Sequence, residues 1–332
     1  MKRNIQQFTG ILTLGLVLTA TAAAHGATAA YRLLKEIPVA GEGGWDYLTV
    51  DETARRLYVS HATKIVVIDL DKDEIVGEIN DTPGVHGIAL APKLGRGFTS
   101  NGREHKVSIV DLKTLKTLSK VDTGKNPDAI LFEPGQGEVY AFNGGGKSAT
   151  VIGAESGQVL ATILLSGTPE FAVADPKAGR VYVNIEDKNE VVVIDTKSHQ
   201  VVGTWPIAPG AEATGMAFDA AHQRLFIGCH NKLLLMIDST SGKVVASVPI
   251  GGGVDATAFD PGTQRAFSST GEGTVTIAHE DSPEKLTVVQ TLQTERGAKT
   301  MALDTKTHRI YVAAGKAGSM KILVYSADSP AR

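Results

Sequence analysis

Seven polar residues recur through this chain at nearly even intervals: Asp46, His86, Asp128, Glu170, Thr214, Asp255 and Lys299, spaced 40, 42, 42, 44, 41 and 44 residues apart. Four carboxylates, an imidazole and an ammonium brought together could do three kinds of chemistry. They could hold copper or another divalent metal, since imidazole and carboxylate suit such ions. They could act as general acid and base. They could also bind a small polar ligand through charge and hydrogen bonds alone. Each use requires the fold to gather residues that lie about forty positions apart.

The positions are found with a ruler built into the sequence. Each lies five residues before a copy of one stretch: "DETARRLYVS" from Asp51, "APKLGRGFTS" from Ala91, "EPGQGEVYAF" from Glu133, "DPKAGRVYVN" from Asp175, "DAAHQRLFIG" from Asp219, "DPGTQRAFSS" from Asp260 and "DTKTHRIYVA" from Asp304. A period near forty, with four strand-length runs in each unit, reads as propeller blades. A short run such as "YLTVD" or "GIALA" is the innermost strand, a. The motif supplies a turn and strand b, runs such as "KIVVIDL" and "EVVVIDT" are strand c, and runs such as "KVVASVPI" are strand d. Such a sheet covers its two faces only by stacking on neighbours. The seventh unit ends at "KILVYSADSPAR" without a fourth strand, while "YRLLKEIPV" stands alone before the first. The expected fold is therefore all-β: a seven-bladed β-propeller with four antiparallel strands per blade, the last blade closed by the N-terminal strand so that no open edge is left.

In a propeller the d-to-a and b-to-c connections share one face. The seven polar residues are expected to ring the channel mouth there, with Trp45 beside Asp46 to stack on a ligand or to plug the channel. The b-to-c loops add His61, Asn101, His105, Asn143, Asn184 and His230. Asn101, Asn143, Asn184 and His230 are expected as a ligand-binding rim. His61, His86 and His105, from neighbouring blades, are the candidate metal ligands, although no HxH, HxxxH or HExxH spacing accompanies them. A largely structural ring around a water-filled channel is the alternative. The repeated Tyr58, Phe98, Tyr140, Tyr182, Phe226, Phe267 and Tyr311 read as blade-to-blade packing. Cys229, the single cysteine, adjoins His230, but no orienting acid completes a nucleophilic pair. "FNGGGKSAT" lacks the spacing of a phosphate-binding loop and reads as a hairpin connection.

The first 29 residues differ from the rest. Lys2 and Arg3 precede the apolar run Ile11 to Ala20 and then a small-residue stretch, the pattern of a secretory signal peptide cleaved after Ala24 or Ala29. The apolar run is too short to span a bilayer, so residues 30–332 are expected as one mature propeller domain, periplasmic or secreted, with no membrane span. Composition agrees with a globular β protein: 42% hydrophobic, 21% charged, and 36 glycines for turns. Without Lys2 and Arg3 the chain has 31 basic and 36 acidic residues, a formal charge of −5. That balance speaks against a nucleic-acid partner held through phosphates. With one cysteine there is no disulfide framework. A monomer is expected.

The segments "RRLYVS", "GRVYVN", "VVVIDT" and "KVVASVPIG" resemble the YVTN-repeat, or YncE-like, bacterial periplasmic propellers. The resemblance covers essentially all of residues 30–332 and rests on architectural residues. It implies an exported seven-bladed propeller. It also brings related propellers into view: quinoprotein amine dehydrogenase chains, phosphogluconolactonase-like lactonases, and YncE-like members with a DNA-binding role. The expected function is an exported propeller that binds a small polar ligand, a metal ion or a periplasmic protein partner at the channel mouth, without catalysis. The alternatives are a metal-dependent enzyme, either lactonase- or lyase-like or a copper- or quinone-linked oxidoreductase component, and single-stranded DNA binding.

Overall fold

The computed structural model describes residues 1, 30–316 and 318–327; the expected leader lies, apart from Met1, outside them. The chain forms seven four-stranded antiparallel sheets, each made of consecutive strands except one. Blade 1 runs Trp45–Asp51, Arg56–His61, Lys64–Asp69 and Glu74–Ile79, as strands a to d. Blade 7 takes strands a to c from Met301–Asp304, Arg309–Ala314 and Met320–Ala327. Its fourth strand is Tyr31–Val39, paired antiparallel with Met320–Ala327. Tyr31, Ile37 and Val39 are buried there, and the Tyr31 hydroxyl donates to the His308 carbonyl oxygen (2.7 Å).

The repeated motif is architecture throughout. The Asp51 carboxylate accepts from the Thr53 and Ala54 amides (3.0 and 2.8 Å), and Asp175 accepts from Lys177 and Ala178 (both 3.1 Å). An aspartate that binds the amides two and three residues ahead closes the turn by itself. Arg180 pairs with Asp195, and Arg224 pairs with Asp238 (2.8 Å), tying strand b to the end of strand c. The aromatic column is buried in every blade. Phe226 stacks on Phe259 with centroids 4.7 Å apart, and Tyr182 donates to the Ser239 carbonyl oxygen of the next blade (3.0 Å). Burying each such ring stabilises the sheet stack by about 1.5–3 kcal/mol.

One irregularity recurs and bears on function. In blades 1 to 6 the a–b pairing slips at the start of strand a, between Trp45 and Leu48, Val85 and Gly87, Pro127 and Ile130, Pro169 and Ala172, Ala213 and Met216, and Val254 and Ala256. Asp46, His86, Asp128, Glu170, Thr214 and Asp255 all fall inside these slips. A bulge removes a residue from the ladder and re-aims its side chain. In blade 1 the Ser60 hydroxyl stitches the bulge, accepting from the Asp46 amide (3.0 Å) and donating to the Tyr47 carbonyl oxygen (2.9 Å). Blade 7 differs: its strand a starts at Met301, so Lys299 lies ahead of it.

Candidate binding site at the channel mouth

The bulges bring the ring together as subgroups. His86 Nδ1 lies 2.6 Å from an Asp46 carboxylate oxygen and 3.5 Å from one of Asp128, so blades 1 and 3 clasp the imidazole of blade 2. Lys299 Nζ meets Asp255 at 3.0 Å. The Thr214 hydroxyl, itself buried, donates to the Val254 carbonyl oxygen (2.9 Å) and so takes a structural part. Among the described residues, the Glu170 side chain makes no hydrogen bond or ion pair.

Burial and crowding of like charge govern this mouth. Burial, reinforced by the charges of Asp46 and Asp255 and only partly offset by His86, pushes the Asp128 carboxyl up to about 6. Burial, together with Asp128, Glu186, Asp255 and Asp46, pushes Glu170 up to about 9. Burial raises Asp255 as well, against the pull of Lys299. For His86, burial disfavours the charged ring, but the hydrogen bond to Asp46 and the charges of Asp128 and Asp46 outweigh it and raise the net value. The mouth therefore carries more negative charge than its two cations neutralise, and it responds by holding protons.

Beside the clasp lies a cavity of about 420 Å³ lined by Trp45, Asp46, His86, Arg103, Asn126 and the glycines of the Gly43–Gly44 turn. A Cβ on Gly102 would come within 2.7 Å of His86 Nε2 and 2.6 Å of Asn126 Oδ1, so glycine keeps the space into which both polar atoms point. Trp45 is half-buried and packs on the core between blades 1 and 7, with one side on the cavity.

Sequence reasoning passed over two residues. Tyr47 reaches from blade 1 across the axis, donating its hydroxyl to the Glu170 carbonyl oxygen of blade 4 (3.2 Å) and meeting Phe171 edge-on with centroids 5.3 Å apart. A second cavity of about 580 Å³, which Phe171 also lines, mixes apolar residues such as Leu48, Ile88 and Met216 with polar ones such as Thr49, Asp51 and Glu52. The signal was available one position after the ring: Tyr47, Gly87, Ala129, Phe171, Gly215, Ala256 and Thr300. Two bulky rings in a column of small residues mark a plug, and Tyr47 rather than Trp45 is its main part.

Several expected residues lie elsewhere. Asn101, Asn143 and Asn184 are fully buried and do not form an open rim. Asn101 donates to Ser108 Oγ (2.7 Å) and Asn143 to Ser148 and Thr150 (3.1 and 3.0 Å) within their own blades, and Asn184 donates to the Thr214 carbonyl oxygen of the next blade (2.7 Å), because a covered amide needs protein partners. The trio His61, His86 and His105 does not converge. His61 is buried in blade 1, and its protonated form is disfavoured by burial and by Lys64. His105 is exposed and accepts from the Asn126 amide (3.1 Å). The potential metal donors at the mouth are instead Asp46, His86 and Asp128, with ligand atoms within 4.8 Å of one another. His230 contacts the Val254 carbonyl oxygen at 3.1 Å and lies 3.6 Å from Glu212, near the mouth but outside the clasp. Cys229 is buried and its thiol is pushed up to about 12 by burial, which removes the nucleophile reading.

No family model and no curated protein matches this chain. Solved structures do match in shape. A chain from a structure titled Kuenenia stuttgartiensis Hydrazine Synthase superposes with a TM-score of 0.75 at 16% identity, covering 93% of this chain and 100% of that one. A chain from Crystal Structure of Mitotic Checkpoint Complex gives 0.77 at 14% identity, covering 98% and 100%. At such identities the likeness is one of fold alone.

Proposed function

We propose that this protein is an exported, monomeric propeller of the YVTN-repeat kind that binds a small cation-bearing ligand at the channel mouth, without catalysis. The reading rests on the clasp of His86 between Asp46 and Asp128, in a mouth where, among the described residues, the Glu170 side chain makes no hydrogen bond or ion pair. A cation seated between the carboxylates takes over the charge that protons carry in the free protein. The positive charge of the ligand can sit on a metal ion or on an ammonium group. Imidazole and carboxylate donors suit the first, and the Asp46 carboxylate beside the Trp45 ring suits the second. Isothermal titration with Zn²⁺, Cu²⁺ and a set of small primary and quaternary amines tests the reading. Binding of one of these to the wild type, lost in Asp46→Asn, Asp128→Asn and Gly102→Ala, is the expected result. No binding by any of them overturns it. N-terminal sequencing of the exported chain tests cleavage after Ala24 or Ala29.

One observation favours a second reading. A carboxyl titrating at about 6 and another at about 9 in one mouth supply a base and an acid at neutral pH, as lactone hydrolysis or a lyase step requires. Turnover of a lactone panel by the wild type, abolished in His86→Ala, would replace the binding reading with this one.

A further inference from the structure

On the opposite face of the propeller, two departures from the repeat meet. Aligning the blades on the amide that bonds back to the a–b hairpin gives one column: Leu70, Leu112, Ala154, Thr196, Ser239 and Glu280 in blades 1 to 6. The first five are buried apolar or small residues, and Glu280 is equally buried at 2% exposure. A carboxylate therefore sits where the fold itself asks for a small or apolar side chain. Three residues after each repeat start stand Ala54, Leu94, Gln136, Ala178, His222, Thr263 and Thr307. The single imidazole of that column, in blade 5, lies against the single buried acid of the other, in blade 6.

The third member is Asp219, the repeat's own turn aspartate, 2% exposed. One of its oxygens makes the usual turn bond from the Ala221 amide (2.9 Å). The other lies 2.8 Å from His222 Nδ1, which in turn is 3.3 Å from a Glu280 oxygen. Neither Glu280 oxygen nor His222 Nδ1 has a hydrogen-bond partner of acceptable geometry, although all three atoms are out of solvent. A buried carboxylate that lacks a well-placed hydrogen-bond donor is costly to the fold. The nearby Arg224 is committed to Asp238 (2.8 Å) and to the Pro283 carbonyl oxygen (2.6 Å). The ligand atoms of Asp219, His222 and Glu280 lie within 4.8 Å of one another.

We propose that Asp219, His222 and Glu280 form a divalent metal site that pins blade 5 to blade 6. Two carboxylate oxygens and one imidazole nitrogen are a donor set for zinc or a related borderline ion, and their charge matches a dication. The partly exposed His222 edge gives an ion access to the site. The site is separate from the channel mouth and does not depend on the function proposed there. Its contribution is to stability, because an ion held by the folded state alone favours that state.

The test uses the full mature chain, stripped with a chelator, and Zn²⁺ as the probe. Zinc affinity is followed by competition with a chromophoric chelator, and Tm is followed with increasing free Zn²⁺. The expected result is a Tm that climbs with zinc in the wild type and in His86→Ala, which lacks the imidazole of the mouth, but not when His222→Ala or Glu280→Leu is added to His86→Ala, where affinity falls roughly tenfold or more. Glu280→Leu puts back the residue that blades 1 and 2 carry, so its metal-free form is expected to be at least as stable as the wild type. That separates loss of the ion from loss of the fold. A zinc response of the His86→Ala protein left unchanged by Glu280→Leu and His222→Ala overturns the proposal, as does a His86→Ala protein with no zinc response. A response lost only in His86→Ala assigns the ion to the mouth and also overturns it.

Discussion

The hydroxyl of Tyr47 in blade 1 donates to the backbone carbonyl oxygen of Glu170 in blade 4, across the axis of the propeller. That single bond ties blade 1 to blade 4 beneath the ring of polar residues. Tyr47→Phe is expected to cost about 1 kcal/mol in chemical denaturation, the usual net value of one hydrogen bond. Tyr47→Ala removes the aromatic ring as well and is expected to cost about 3 kcal/mol. It is also expected to let an apolar dye that fluoresces on burial enter from the mouth face, which Tyr47→Phe does not allow.

Glu170 sets a pH dependence with a definite sign. Its carboxyl titrates near 9 in the fold, raised chiefly by burial, against about 4.3 in an unfolded chain. Between those values the unfolded state has released a proton that the folded state keeps, so stability falls as pH rises through that window and levels off above it. Glu170→Gln is expected to flatten this decline in Tm measured from pH 5 to 9. Cation affinity at the mouth is expected to move the opposite way, tightening as Asp128 and then Glu170 ionise.

His86 is the complementary probe. Its pKa is raised because the Asp46 hydrogen bond and the Asp128 and Asp46 charges outweigh its burial. The stability this gives is complete below the unfolded-state value and is lost as pH rises through the folded one. In Asp46→Asn the imidazole resonance, followed by NMR, is expected to titrate at lower pH than in the wild type. An unchanged midpoint would show that Asp46 does not hold the ring.

Closure of the ring through Tyr31–Val39 carries a stability prediction. Ile37 is buried in the core shared by blades 7 and 1, and Ile37→Ala is expected to cost about 2–4 kcal/mol, read as a lower denaturation midpoint. Removing residues 31–39 is expected to abolish cooperative unfolding, since it bares the edge of Met320–Ala327.

Cys229 is expected to resist a thiol reagent in the native protein and to react fully once it is denatured. Its sulfur is enclosed between Ile227 and Gly210, and its thiolate is strongly disfavoured by burial.

The repeat made the fold legible down to its closure, because seven copies of one turn act as a ruler for everything between them. The ring positions were legible for the same reason: D, H, D, E, T, D and K at one phase cannot be dictated by packing. How they pair was not legible. The clasp of His86 by residues from blades 1 and 3 depends on where the bulges aim the side chains, and a bulge leaves no mark in the alternation of apolar residues. The asparagines misled because polar residues in loops suggest an exposed rim, whereas turns buried under neighbouring strands need amide donors for themselves. Tyr47 was missed because one aromatic beside an apolar run looks like core. Only comparison with Gly87, Ala129 and Gly215 at the same phase exposes it.

The bulge at the head of each strand a has one more consequence. A residue outside the ladder can be exchanged without removing a rung of its own sheet, and six such residues stand at the heads of strand a in blades 1 to 6. The sheets below carry the burden of folding, and the heads of the strands are released from it. The charge, reach and donor atoms of the mouth can thus be reset at the strand heads while the sheets stay the same, but in sets rather than singly, because His86 answers to Asp46 and Asp128, and Asp255 to Lys299.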